Sequence, residues 1–174
     1  MLLEDFSAPC IVNQNTSAAD LLHIMRFARS DFSRWDAQQR LFTNEMKAAI
    51  ASGEACLSDD ILSALKLLVD NREGDLALIA ELLKLPSYDT LAAEYAVIPV
   101  DDIIAVQNAF ESQIANFLTE SLVNCYNALE DDGSTSATAV AVRALKQLCL
   151  HYLAKTNHSD VNGLIEESAH SNNT

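Results

Sequence analysis

The side chains best suited to chemistry, four histidines and four cysteines, form no recognised catalytic or metal-binding pattern. Two histidines one helical turn apart bind zinc in an H-E-x-x-H motif, and the sequence has no such motif. The histidines are His23, His151, His158 and His170. Glu166 and His170 lie four residues apart, a spacing typical of a solvated ion pair. His151 stands in an apolar run, which predicts a satisfied, partly buried ring. We therefore predict no catalytic residue and no metal ligand.

The cysteines are expected to be reduced thiols, in or near the core, of a cytoplasmic protein. Their gaps are long and irregular, and no C-x-x-C pair occurs. They are Cys10, Cys56, Cys125 and Cys149. Disulfide frameworks and structural zinc sites have more regular spacing, so both are less favoured alternatives.

Other catalytic and ligand-binding classes lack their motifs as well. The sequence contains no G-x-S-x-G elbow, no Walker loop and no G-x-G-x-x-G turn. The acidic residues 130–132 before Gly133 suggest a calcium loop, but the glycine at the sixth position and the glutamate at the twelfth are missing. We interpret this segment as a solvated surface loop.

The charge balance disfavours two further classes of binding protein. The 174-residue chain has 11 lysines and arginines against 25 aspartates and glutamates, a formal net charge of −14. Nucleic acids and anionic membrane surfaces would both repel such a chain. No apolar run reaches the roughly 18 to 20 residues that a membrane span needs, and the first residues lack the basic start of a signal peptide. We expect a cytoplasmic protein with no nucleic-acid and no membrane partner.

Helical periodicity dominates the sequence after residue 16, so the predicted fold class is all-α. Capping boxes are predicted at Ser17 with Asp20 and at Ser33 with Asp36. Seven or eight helices are predicted, beginning near residues 17, 33, 58, 76, 88, 101, 137 and 160. Short loops favour antiparallel neighbours, which suits stacked helical hairpins in a HEAT-like, solenoid-like array. A compact orthogonal bundle is the alternative.

Residues 4–12 differ from the rest of the chain. They contain Pro9 and end in a β-prone run, which predicts one short strand. A single strand leaves its hydrogen-bonding edges unpaired, so it needs a sheet that the helical remainder does not supply. This segment indicates that the chain is part of a larger protein.

Charged and aromatic residues are densest in residues 26–36. This stretch holds three of the 11 bases, three aromatic residues including the only tryptophan, and two acids. We predict a helix–helix corner in which Asp31 or Ser33 caps the second helix and Phe32 and Trp35 anchor the core. Arg34 would pair with a carboxylate or stack on an aromatic ring. The predicted corner consists of Asp31, Phe32, Arg34, Trp35 and Asp36. A substrate site is the less favoured interpretation.

Two motifs carry a resemblance to a known family. The first is Leu2-Leu3-Glu4-Asp5-Phe6-Ser7-Ala8-Pro9, and the second is Asp31-Phe32-Ser33-Arg34-Trp35-Asp36-Ala37-Gln38. In order and spacing they strongly resemble the bacterial aminopeptidase N (alanyl aminopeptidase) family, which are zinc metallopeptidases of the gluzincin type. Weaker similarities continue at residues 83–87 and 143–150.

The resemblance implies one part of a four-domain enzyme. Residues 1–15 would end a β-sandwich domain, and residues 16–174 would form the first part of the C-terminal helical domain. In the family, this helical domain covers the active site and restricts access of peptides. The zinc motif, the G-x-M-E-N motif and the catalytic tyrosine have no counterpart here, so zinc would belong to the parent enzyme. The implied partners are the catalytic and β-sandwich domains of the same parent, and peptides through the parent.

Three hypotheses follow. The chain is a non-catalytic fragment of a zinc aminopeptidase, a stand-alone helical protein-interaction scaffold, or an unrelated small enzyme with an unmarked site. The unpaired strand and the two specific motifs favour the first.

Overall fold

The computed structural model describes residues 16–72, 74–159, 161 and 163–166. These residues form seven complete helices and no strand, and residues 161 and 163–166 are helical as well. The helices are α1 (Ala18–Phe27), α2 (Asp31–Ser52), α3 (Asp59–Asn71), α4 (Leu76–Leu83), α5 (Tyr88–Ala92), α6 (Val100–Ala128) and α7 (Ala137–Leu153). The all-α prediction is confirmed for this part of the chain. The predicted strand at residues 4–12 lies outside the described residues.

Side-chain caps begin most of the helices where the sequence predicts them. The Ser17 hydroxyl accepts a hydrogen bond from the Asp20 N–H at 3.1 Å and donates to its carboxylate at 2.7 Å. Caps of the same kind begin α3, α4, α5 and α7 at Ser58, Asp75, Ser87 and Ser136. Each cap satisfies a backbone N–H that has no partner inside its helix.

The predicted start of α2 is wrong by one turn. Ser30 caps this helix, and its hydroxyl accepts from the Ser33 N–H at 3.3 Å, so Ser33 lies inside the first turn. Both serines have a polar residue three positions later, and sequence alone does not separate two such candidates. The helix ends at Gly53, which adopts the left-handed conformation that terminates many helices.

Helix α6 is the longest element, with 29 residues, and its buried side faces four other helices. It contacts α2, α3, α5 and α7, while α1 packs on α2 and α4 packs on α7. Buried apolar residues recur along it every three or four positions, as an amphipathic helix requires. They are Ile103, Val106, Phe110, Ile114, Leu118, Leu122 and Cys125, and Ala115 beside Ile114 is buried as well.

Three helices donate hydrogen bonds to backbone carbonyls at the end of α4 and in the link to α5. From α7, the Tyr152 hydroxyl donates to the Leu83 carbonyl at 2.6 Å. From α2, the fully buried Gln38 amide donates to the Lys84 carbonyl at 2.7 Å. From α6, the Gln107 amide donates to the Pro86 carbonyl at 3.0 Å. The last carbonyls of a helix have no partner within it, so these bonds replace the missing ones.

A second loop is held in the same way. Gln113 on α6 donates to the Ala55 carbonyl at 2.6 Å and accepts from the Leu57 N–H at 2.9 Å. This single amide satisfies two backbone groups of the link between α2 and α3. Side chains of the long helices therefore pair the backbone of the irregular segments.

Replacing Tyr152 with phenylalanine tests this arrangement. The ring still fills its buried position, but the Leu83 carbonyl loses its donor. We expect Tyr152→Phe to lower the free energy of unfolding by about 1 to 3 kcal/mol, the cost of an unpaired buried polar group. Urea denaturation followed by circular dichroism measures this change. The matched control is Tyr95→Phe, because the partly exposed Tyr95 hydroxyl has no hydrogen bond to another described residue. Equal effects of the two substitutions would contradict the role of Tyr152.

Candidate functional site

The predicted corner is a tight joint between α1 and α2. Only residues 28–30 separate the two helices. Arg34, in the first turn of α2, donates from Nε to the Met25 carbonyl at 2.9 Å, in the last turn of α1. The prediction that Arg34 pairs with a carboxylate or stacks on an aromatic ring is wrong within the described residues, because its bonded partner is a backbone carbonyl. The bond satisfies a carbonyl near the end of α1 and fixes the guanidinium.

The two aromatic residues of the corner lie on its outer side. Phe32 is 46% exposed and Trp35 is 37% exposed, and their ring centroids are 5.6 Å apart. The prediction that they anchor the core is therefore wrong for the part of the chain described. The buried face of α2 is carried instead by residues such as Leu41 and Phe42.

The two acids of the corner also face outward. Asp31 occupies the first turn of α2, where a carboxylate interacts favourably with the helix dipole. Asp36 lies 3.8 Å from Arg40 one turn later, in an exposed pair of the kind that contributes little to stability. Of the five predicted corner residues, Arg34 is therefore hydrogen-bonded to α1. The other four, Asp31, Phe32, Trp35 and Asp36, lie on the surface.

A cleft opens beside the corner, between α1, α2, α3 and the start of α4. Its volume is about 280 Å³, and its lining includes Arg26, Arg34 and Arg72. The sequence pattern identified the region of the first two arginines but missed Arg72, which follows α3 and lies 38 positions after Arg34 (72 − 34). Arg72 ends α3 in a left-handed conformation, with φ of 43°, which is uncommon for a residue other than glycine. No local signal in the sequence links the two.

None of the histidines that the structure describes lines this cleft. His151 is exposed, which corrects the predicted partial burial, and its Nε2 lies 3.1 Å from Glu111. The same carboxylate pairs with Lys155 at 2.7 Å. His158 lies 3.7 Å from Glu120, and His23 stacks near the Phe27 ring. His170 lies outside the described residues.

The described residues contain no group of three or more histidine, cysteine, aspartate or glutamate side chains that could hold a metal ion. Zinc, which the family resemblance implies for the parent, therefore does not fit any set of side chains in this part of the chain.

The carboxylates of the acidic loop before α7 interact with nearby side chains and backbone groups. Asp131 pairs with Arg143 at 2.8 Å, and Asp132 accepts from the Ser134 N–H at 2.9 Å. That backbone hydrogen bond lowers the pKa of Asp132.

Two cysteines meet in the core between α6 and α7. Cys125 and Cys149 are both fully buried free thiols. The interaction between the two thiol groups lowers the pKa of Cys125 and raises the pKa of Cys149, and burial raises the latter further. Cys56 is an exposed free thiol, and Cys10 lies outside the described residues.

Thiol titration checks this arrangement. In a Cys10→Ser background, we expect Ellman's reagent to label Cys56 rapidly in the native protein, because of the remaining thiols only this one is exposed to the reagent. Cys125 and Cys149 should react only after unfolding in guanidinium. Cys56→Ser in the same background is the control and should abolish the rapid phase. Rapid labelling of two or more thiols in the folded protein would contradict the buried pair.

Among the residues that the structure describes, none of the helices combines the length and the apolar character that a membrane-spanning helix needs.

A solved structure shares the arrangement of these helices. It is the crystal structure of Legionella pneumophila aminopeptidase A in complex with aspartic acid, with a TM-score of 0.79 over 93% of this chain. The match covers 20% of that chain at 22% sequence identity. The likeness defines the fold as a helical unit that occurs inside a larger protein.

The sequence comparisons define the family. A family model described as "Domain of unknown function (DUF3458_C) ARM repeats" matches residues 18–174, and the chain belongs to this ARM-repeat family. Aminopeptidase N of Haemophilus influenzae is 34% identical over 161 residues, which is 90% of this chain and 18% of that protein. Aminopeptidase N of Escherichia coli K12 is 32% identical over 179 aligned positions, which is 99% of this chain and 20% of that protein. The resemblance to aminopeptidase N is confirmed, and the chain spans about a fifth of the length of these relatives.

Proposed function

We propose that this chain is the helical part of a zinc-dependent aminopeptidase that removes N-terminal amino acids from peptides. It covers the active site and restricts which substrates enter, while the chemistry is done elsewhere in the parent enzyme. The observation that carries the proposal is the match of 90% and 99% of this chain to two aminopeptidase N proteins, of which it spans 18% and 20%. A match of that extent supports the view that the chain is part of a larger enzyme.

The proposal assigns residues 1–15 to the end of a β-sandwich domain and residues 16–174 to the first part of the helical domain. The helices would stack as antiparallel hairpins, in keeping with the ARM-repeat description of the family. The catalytic and β-sandwich domains of the parent are its partners, and peptides reach it through the parent. The parent would work in the cytoplasm, where thiols such as the Cys125 and Cys149 pair stay reduced.

Exposed apolar surface supports the role of one domain among several. At the start of α6, Val97 is 86% exposed, and Ile98, Val100 and Ile104 are each nearly half exposed. Val100 and Ile104 lie one helical turn apart, so they share one face of the helix. We call these four residues the 97–104 patch. Contiguous exposed apolar surface of this kind is typical of a face that another part of a protein covers.

An activity assay tests the assignment of chemistry to the rest of the parent. The purified chain should not hydrolyse alanine p-nitroanilide, with or without added zinc, because its sequence contains no H-E-x-x-H motif. The separately purified upstream part of the parent should bind one zinc, and it should co-elute with this chain in size-exclusion chromatography. Turnover by this chain that a zinc chelator abolishes would contradict the proposal. Failure of the upstream part to co-elute would favour the stand-alone scaffold.

Self-association tests the 97–104 patch. We expect the isolated chain to dimerise or aggregate at high concentration, although its net charge is −14, because the patch is uncovered. The double substitution Val97→Ser and Ile98→Ser should shift the chain toward monomer in sedimentation velocity. Val140→Ser is the control, since Val140 is 53% exposed on α7, outside the patch. A chain that stays monomeric at high concentration would argue that the patch is not an interface.

A further inference from the structure

The cleft beside the corner concentrates positive charge in a strongly acidic chain. Arg26, Arg34 and Arg72 line it, together with Leu67, Leu68 and Ile79. No aspartate or glutamate among the described residues lines it. Residues 56–135 contain 15 of the 25 acids of the chain. None of the 14 that the structure describes lines the cleft, although α3 and α4 both belong to that stretch.

The three cleft arginines differ from most basic residues of the described chain, which pair with a carboxylate. Six of the 11 basic residues pair with a carboxylate, and they are Arg40, Lys47, Lys66, Lys84, Arg143 and Lys155. Lys146 has no carboxylate partner there, but it lies 4.3 Å from the Tyr126 ring centroid and donates to the Leu129 carbonyl. Four arginines remain without a carboxylate partner among the described residues. Three of these four line the cleft, and Arg29 does not.

The cleft arginines keep donors available. A guanidinium has five N–H donors. Arg34 uses Nε for the Met25 carbonyl, which fixes the group and leaves its two terminal nitrogens. Arg72 donates from one terminal nitrogen to the Val69 carbonyl at 3.4 Å and also interacts with the Cys125 thiol, so part of its donor capacity is used inside the protein. Asp70 interacts electrostatically with Arg72, but its carboxylate is bound to Lys66 at 2.6 Å.

The third arginine and the apolar lining define the shape of a ligand. Arg26 is exposed and lies 4.8 Å from the Phe27 ring centroid. Leu67, 44% exposed, gives the cleft an apolar side. A volume of about 280 Å³ lies just below the ~300–1,000 Å³ typical of small-molecule sites, so it suits one or two side chains.

We propose that this cleft binds a carboxylate side chain flanked by apolar residues, carried by a neighbouring domain of the parent. Guanidinium groups pair with carboxylates in a planar, bidentate geometry, and the leucines would cover the flanking residues. The source of the carboxylate rests on the proposed function, since the relatives are about five times longer than this chain and supply the neighbouring domain. The carboxylate chemistry itself rests on the cleft alone.

Peptide binding to the full 174-residue chain tests the proposal. Trp35 is the only tryptophan and adjoins Arg34, so its fluorescence can report binding. The probe is the blocked tetrapeptide acetyl-Leu-Glu-Leu-Phe-amide, compared with the same peptide carrying glutamine in place of glutamate. We expect the acidic peptide to bind about tenfold more tightly, and the preference to fall with added salt. Equal affinity of the two peptides, or binding of neither, would overturn the proposal.

Two variants and two small anions sharpen the test. Arg26→Gln should reduce the preference for the acidic peptide severalfold, whereas the matched control Arg29→Gln should leave it unchanged. Circular dichroism melting shows whether each variant is folded, and Arg26 is chosen because it is exposed and makes no interhelix hydrogen bond in the described structure. Tighter binding of inorganic phosphate or citrate than of the peptide would overturn docking of a protein side chain. Peptide binding tests only the cleft, and co-elution with the upstream part of the parent tests only the proposed function. Failure of one proposal can therefore be distinguished from failure of the other.

Discussion

The end of α4 is the point at which the helices are tied together by polar interactions. Tyr152, Gln38 and Gln107 come from three different helices and donate to carbonyls within four residues of one another, from Leu83 to Pro86. Apolar packing fixes which faces of the helices meet, but it is tolerant of sliding. Directional hydrogen bonds to backbone carbonyls are not, because a displaced donor leaves a carbonyl without its partner. No buried side-chain nitrogen or oxygen in the described residues lacks a partner, so the register of α2, α6 and α7 against α4 is specified.

Features that depend on neighbouring residues could be predicted from the sequence, whereas features that depend on contacts between distant residues could not. Helix type and most helix starts depend on local spacing and on a capping side chain. Six of the seven helix starts that the structure describes in full were predicted to within one residue, including those capped by Ser58 and Ser136. The start of α2 was not, because Ser30 and Ser33 both suit a cap. Phe32 and Trp35 were expected inside because large aromatic residues usually are. Burial depends on what covers a residue, and nothing among the described residues covers these two rings enough to enclose them.

The cleft could not be predicted from the sequence because its lining residues come from distant segments of the chain. Two of its arginines lie in one dense stretch, but Arg72 joins them only because α3 packs beside α1. Its left-handed backbone at the end of α3 could not be read from the residue type, since glycine is the usual occupant of that position. The family resemblance rested on local motifs and was confirmed, while the site that we propose depends on contacts between distant segments.

The length of α6 has a mechanical consequence. A straight helix of 29 residues is about 43 Å long. Its first turns carry exposed apolar residues such as Val100, and its last turns hold Cys125 in the core. A rigid rod of this length turns a tilt of roughly 5° at one end into a displacement of about 4 Å at the other. A domain seated on the first turns of α6 would therefore bear on α7 through α6, whose Glu111 pairs with His151 and Lys155.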